Sequence, residues 1–331
     1  MRIRTRARLL SLALPLVVVA CERMNYGLRE TPPPPDAPPE KIALTGAVVL
    51  IGAGDIADCG NEGDERTAHL IDSVLKANAT AKLETVVFAV GDIAYPSATE
   101  RQLRRCFGPS WGDTTKGIMK VIRPAIGNHD YQVDRGAPYY RYFGSRAGPA
   151  GKGYYSYDLG DWHVIVLNSE IAVESPSTME RKEQEDWLKK DLDDHKKHCT
   201  LAYFHFPLFS SSFRQGIPAM LPIWTMLYDA NVELVINGHD HHYERFLPQT
   251  PAGVADSVRG IEQIIVGTGG AQLRGLRSRF GLRTRSLASN SVLQIQGHFG
   301  VLKITLGKDE YRTAFMTTDG RVWDRGGRKC H

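Results

Sequence analysis

The chain has 331 residues, 42% of them hydrophobic and 24% charged, and its 41 Lys+Arg exceed its 37 Asp+Glu by four. The resulting isoelectric point of about 8.7 would on its own suggest a nucleic-acid or anionic-membrane binder. Arg2, Arg4, Arg6 and Arg8 account for the whole excess, so the rest of the chain is formally neutral. That balance excludes a polybasic body, and no nucleic-acid partner is expected.

The four arginines open a segment that continues as LLSLALPLVVVA over residues 9–20, apolar but shorter than the about 20 residues of a membrane-spanning helix. Residues 1–20 therefore read as an export signal. Val18-Val19-Ala20-Cys21 resembles the lipobox of bacterial lipoproteins, where cleavage leaves a lipid-bearing cysteine at the new N-terminus; the alternative is an ordinary secretory signal that contains a cysteine. On either reading the body is expected to be periplasmic or at the cell surface. Its only membrane contact would be a lipid at Cys21. Residues 21–44 include the run TPPPPDAPPE, which cannot continue a helix or a sheet and reads as a semi-rigid spacer.

Residues 45–331 are long enough for one large globular domain. In chain order, apolar and β-branched runs at 47–52, 85–90, 162–167, 199–204, 232–237 and 261–267 predict mostly buried strands. Helical patterns at 64–78, 97–106, 180–194 and 218–229 fall among them. Strand signals at 290–297, 299–306 and 310–317 close the chain and predict a second, more antiparallel sheet. The expected fold is α/β, with two stacked mixed β-sheets flanked by helices in four layers. Four cysteines follow Cys21, at positions 59, 106, 199 and 330. An even number suits pairing in an oxidising compartment, and three connectivities are open. Cys59 with Cys106 is favoured, because each lies shortly after a strand that ends in a candidate metal ligand.

Seven side chains carry the chemistry: Asp55, Asp92, Tyr95, Asn128, His205, His239 and His241. All are oxygen or imidazole donors, a set suited to zinc, manganese or iron at a catalytic centre rather than to structural zinc. They fall at the carboxyl ends of apolar runs, where open α/β sheets place their sites. Glycine immediately precedes Asp55, Asp92, Asn128 and His239, which lets the chain turn tightly and bring a side chain up to an ion. Taken singly, such an aspartate is a turn former and such a histidine a core residue. Repetition at four strand ends is what makes the set a site.

The segments GDIAD, GDIAY, GNHD, FHFP and GHDHHYER, in that order, resemble the calcineurin-like metallophosphoesterases and, among them, short bacterial purple acid phosphatases. The resemblance covers roughly residues 45–270. It implies a two-metal phosphoesterase in which Asp55, Tyr95 and His241 hold one ion, Asn128, His205 and His239 hold the other, and Asp92 bridges them. Ala57 stands where the wider superfamily has a ligating histidine, and Tyr95 stands where the purple branch has a tyrosinate. This choice implies iron at the Tyr95 site and iron, zinc or manganese at the second.

The implied activity is acid-phosphatase-type hydrolysis of a small phosphate monoester by a metal-bound hydroxide, with His129 contacting phosphate and Asp130 orienting His129. A phosphodiesterase or nucleotidase of the same superfamily is the alternative, and a non-catalytic metal-binding lipoprotein is a third reading. The histidines that plant and animal members carry nine or ten positions beyond His205 are replaced by Arg214 and Gln215. Arg214 can clamp a phosphate but cannot act as general acid. His242 is either an additional substrate contact or a residue behind the ligands. Five arginines in residues 274–285 either steer anions or form a solvated loop.

Overall fold

The computed structural model describes residues 46–173, 178–195, 197–212, 216–273 and 287–331. The export signal, Cys21, the proline-rich spacer, Arg214, Gln215 and the arginines of 274–285 lie outside the described residues.

The continuous apolar run VVLIGA forms β1 (Val48–Ala53), buried at every position. β2 (Thr85–Val90) and β3 (Ile122–Ala125) lie parallel beside it. β4 (Tyr155–Leu159) and β5 (Trp162–Val166) form an antiparallel hairpin, after which β6 (Cys199–Tyr203), β7 (Leu234–Asn237) and β9 (Glu262–Val266) run parallel with β5. β8 (Tyr243–Phe246) pairs antiparallel with β9, and β10 (Ser291–Ile295) with β8. The chain ends in a meander of β11 (Gly300–Leu306), β12 (Glu310–Thr317) and β13 (Val322–Lys329).

The strands make a six-stranded sheet, β13-β12-β11-β1-β2-β3, and a seven-stranded sheet, β10-β8-β9-β7-β6-β5-β4. The expected α/β architecture of two stacked mixed sheets flanked by helices is the one found. One expectation is corrected: the last third does not build a sheet of its own. β10 joins the seven-stranded sheet, and β11 pairs with β1 from the other end of the domain, Leu50 opposite Ile304. A half-buried meander is satisfied by any sheet edge in register, so local pattern could not choose its partner.

The core lies between the sheets, where Phe88 meets Tyr203 at 5.8 Å and Tyr243 stacks on Phe315 at 4.1 Å. Arg245 makes a two-point ion pair with Asp324 at 2.6 and 3.0 Å, and Tyr243 donates to the same carboxylate, tying β8 to β13 across the interface. Helix Gly63–Thr80 buries Thr67, Ala68 and Ile71 on one outer side. On the other, helix Leu221–Asp229 buries Ile223, Trp224 and Leu227 beside Leu188 of helix Thr178–Asp194. The pattern expected at 97–106 becomes a single helical turn, Glu100–Gln102, followed by a wider π-helical turn, Leu103–Phe107.

Cys59 pairs with Cys106, and Cys199 with Cys330. The second bridge closes a sequence separation of 131 residues and fastens β6 to the chain beyond β13. Replacing both of its cysteines by serine is expected to lower stability by about 2–4 kcal/mol, read as a lower urea midpoint under non-reducing conditions. An unchanged midpoint would show that the bridge contributes nothing.

Candidate metal centre

The seven donors meet at the carboxyl edges of both sheets, where hydrogen bonds to backbone carbonyls stitch the sheets together. Gly54 N–H donates to Val266 O at 2.9 Å, and the His205 Nδ1–H donates to Val90 O at 2.9 Å. Asp55, Asp92 and Asn128 follow β1, β2 and β3 of one sheet; His205 and His239 follow β6 and β7 of the other. The site therefore straddles the seam.

Asp55, Asp92 and His239 have φ of 58°, 53° and 71°, a left-handed conformation that costs L-residues about 1–2 kcal/mol each. Each bend turns the side chain out of the strand direction toward the seam. At Gly91, with φ of 86°, an added Cβ would press into the His205 imidazole; at Gly127 it would overlap the Asp92 backbone N and Oδ1. These two glycines permit the close approach of the ligand loops.

The carboxylates are held by one oxygen and present the other. Asp55 Oδ2 accepts from His239 N at 2.9 Å, and Asp92 Oδ1 accepts from His129 N at 2.8 Å. Asp55 Oδ1 and Asp92 Oδ2 then lie 2.8 and 2.9 Å from the Tyr95 hydroxyl, which is also 3.0 Å from His241 Nε2. His241 Nδ1–H donates to Gln272 O at 2.6 Å, so its Nε2 faces the cluster as an acceptor. One phenolic proton thus meets three acceptors. On the far side of Asp92, His205 Nε2 lies 3.3 Å from Asp92 Oδ2 and 3.2 Å from Asn128 Oδ1, and His239 Nδ1 lies 3.0 Å from the same amide oxygen.

This donor set fits a pair of cations. Two donors at right angles, each about 2.1 Å from one ion, are about 3 Å apart, which is the spacing observed in both groups. Burial and the crowding of charges shift the groups of the site in opposite directions. Burial, then the Asp55 and Asp92 carboxylates, push the Tyr95 phenol well above its ordinary range. Burial alone would lower His205, yet the Asp92 carboxylate pushes it up to about 10. Burial, then the His205 charge, lower His239 to about 4. Asp55 and Asp92 are both held below the ordinary carboxylate range despite burial, by His241 and by His205 respectively. Acceptors that compete for protons in a dry site would gain by holding metal ions instead.

The residues around the ligands differ from expectation in two places. Asp130 does not orient His129. Its Oδ1 accepts from Ile93 N and its Oδ2 from Gly127 N, both at 2.9 Å, so it staples the Asp92 loop to the Asn128 loop. His129 is instead fixed by its Nδ1–H, which donates to Pro96 O at 2.5 Å, and its Nε2 lies 3.9 Å from Asp92 Oδ2 with the side chain 25% exposed. His242 is buried, with Nε2 3.1 Å from Glu244 Oε2, so its imidazole is committed inside the protein rather than offered to a substrate. Glu244 also accepts from Ser211 N at 3.0 Å and from the Ser211 and Ser291 hydroxyls. It clamps the loop after His205 and the start of β10 to the histidine segment. Neither staple is legible in the sequence, since nothing local marks which distant N–H a carboxylate will accept. Ala57 pairs with Ala94, and its carbonyl accepts from Tyr95 N at 2.8 Å; the non-ligating position carries the tyrosine's backbone.

Asp130→Asn leaves one of two buried N–H groups facing an amide N–H₂. It is expected to cost about 1–3 kcal/mol and to weaken metal retention under dialysis against a chelator, with little change in kcat after full reloading. A large loss of kcat at full occupancy would restore a catalytic role for Asp130.

The sequence profile of the calcineurin-like phosphoesterases matches residues 48–243. Purple acid phosphatase 15 of Arabidopsis thaliana is 26% identical over 196 residues, a match covering 48% of this chain and 35% of that protein. An uncharacterized protein of Mycobacterium tuberculosis is 26% identical over 221 residues, covering 54% of this chain and 41% of its own length. The matched stretch thus spans less than half of either relative. Among solved structures, the purple acid phosphatase PPD1 of yellow lupin seeds superposes with a TM-score of 0.66 at 19% identity, covering 86% of this chain and 54% of that one. GAP50, described as the anchor in the inner membrane complex of Plasmodium, superposes with a TM-score of 0.68 at 15% identity, covering 87% and 90%. With its profile match spanning more than half the chain and its two-sheet fold shared with these structures, the chain belongs to the calcineurin-like phosphoesterase family of hydrolases.

Proposed function

We propose that the protein is an exported, lipid-anchored acid phosphatase of the purple type that hydrolyses small phosphate monoesters at a two-metal centre. The observation that carries this reading is Tyr95. Its hydroxyl lies within 3.0 Å of Asp55, Asp92 and His241, and it accompanies Ala57, which cannot ligate. Asp55, Tyr95 and His241 would hold iron, Asn128, His205 and His239 would hold iron, zinc or manganese, and Asp92 would be shared. Bound there, the ions supply Lewis acidity toward the phosphoryl oxygens and a nucleophilic water near neutral pH.

The remaining work falls to this chain's own groups. His129, whose ring is steered by Pro96 O, has its Nε2 over the shared carboxylate, in reach of a phosphoryl oxygen or of a leaving alkoxide that needs a proton. Tyr95 packs against His129 with ring centroids 4.5 Å apart and limits how far that ring can swing. The two disulfides agree with an oxidising compartment, as export requires. Fold alone does not decide activity, since a neighbour of the same fold is described as an anchor. The complete donor set is what favours an enzyme.

The test is to measure bound iron, zinc and manganese and to assay p-nitrophenyl phosphate beside its bis-ester. Two metals with monoester turnover are expected. Bis-ester preference would reassign the protein to the phosphodiesterases, and absence of both metal and turnover would sink the enzyme reading. Tyr95→Phe is expected to abolish a visible tyrosinate-to-iron absorption band, and a fully active, colourless wild type would place it outside the purple branch. His129→Ala is expected to lower kcat by about 10²–10⁴-fold with metal content unchanged.

A further inference from the structure

On the segments that follow Asp55 and Tyr95 the chain forms an open pocket of about 370 Å³, lined by Cys59, Arg101, Gln102, Arg105 and Cys106. Its position follows from the segments that carry the ligands. Ala57 and Ala94 bridge those segments; two residues after Ala57 comes Cys59, and the turn Glu100–Gln102 begins five residues after Tyr95. Cys59 is four residues beyond Asp55, so their Cα atoms are at most about 14 Å apart. The Cys59–Cys106 bridge forms part of the wall. The π-helical turn Leu103–Phe107, closed by Gly108 N donating to Leu103 O at 2.8 Å, places Arg105 and Cys106 beside Arg101 and Gln102. Such widened turns recur at functional sites.

The lining offers hydrogen-bond donors and little else. Arg101 and Arg105 each carry a guanidinium, and among the described residues neither has an ion pair or hydrogen bond from its side chain. Glu100, next to Arg101, is taken by Arg141 at 2.8 Å. Asp58, next to Cys59, accepts from Gly60 N at 3.1 Å. Gln102 spends its amide oxygen on Thr99 N and Thr99 Oγ1, both at 2.9 Å, which leaves it the two N–H bonds of its amide. No carboxylate lines the pocket. Two unpaired cations four residues apart repel one another, and a fork of N–H donors is the chemistry that grips a phosphate.

We propose that this pocket is a second anion subsite, which takes a phosphoryl dianion through Arg101, Arg105 and the Gln102 amide. The anion comes either from a second phosphate on the substrate or from free inorganic phosphate. The proposal deepens the phosphatase reading by naming its substrate class, and the binding arm of its test does not depend on that reading.

The double variant Arg101→Gln/Arg105→Gln alters neither metal ligands nor His129, and an unchanged melting curve with unchanged metal content shows it folded. In the steady state, KM for a hexose bisphosphate is expected to rise about tenfold, while kcat and KM for p-nitrophenyl phosphate stay within twofold. In the binding arm, inorganic phosphate is titrated calorimetrically into chelator-stripped wild type and variant. Binding lost in the variant with KM values unchanged assigns the pocket to free phosphate; a selective rise in KM assigns it to a doubly phosphorylated substrate. Equal effects on both substrates, or no effect in either arm, overturn the proposal. A wild type that turns over neither substrate removes the phosphatase reading, and the calorimetric arm alone then decides the pocket.

Discussion

Two carboxylates that would repel each other in a dry interior are brought to the same phenolic oxygen, and the rest of the structure is arranged around that juxtaposition. Asp55 and Asp92 leave adjacent parallel strands and share the Tyr95 hydroxyl at 2.8 and 2.9 Å. Uncompensated, such a pair costs several kcal/mol. Each charge is met first by a backbone N–H of another ligand loop, His239 N or His129 N, and then by an imidazole. The loops that supply the ligands are therefore also the loops that make the carboxylates tolerable.

This reciprocity explains why strain persists in the site. Three of the candidate ligands, Asp55, Asp92 and His239, hold left-handed backbones, each unfavourable for an L-residue. The turns are over-determined, because relaxing any one of them would unpair a buried carboxylate or a buried N–H. Asp130 adds to the lock by accepting from two loops at once, and burial together with Asp92 pushes its carboxyl up to about 8. Its two hydrogen bonds both come from backbone N–H groups, Ile93 N and Gly127 N. Glu244 plays the corresponding part on the other sheet, where it gathers His242, Ser211 and Ser291. Ligands from two sheets can converge only if the sheets themselves cannot slide, and the Arg245–Asp324 pair between β8 and β13 opposes that motion.

Much of the fold was legible because its central strands are mostly buried and read as largely apolar, β-branched runs: β1, β2, β5, β6, β7 and β9. The strands that escaped notice share a different physics. β3 contains Pro124 and survives because it is the edge strand, where a missing N–H is harmless. β4 and β13 are mostly half-buried and carry charges, and β8 is only four residues long with two of them charged. The pairing of β11 with β1 joins positions some 250 residues apart, beyond the reach of any local pattern.

The sequence by itself determined which candidate donors exist and in what order, because glycine-led turns after apolar runs are local features. Only the tertiary structure decided which oxygen of each carboxylate faces the centre, that Asp130 and Glu244 are staples, that His242 is committed to a buried carboxylate, and that Arg101 and Arg105 stand unpaired among the described residues. A side chain's type is written in the chain. Its partner is set by donors that arrive from other strands, and a carboxylate or guanidinium acquires its role from whichever of those donors and acceptors reach it first.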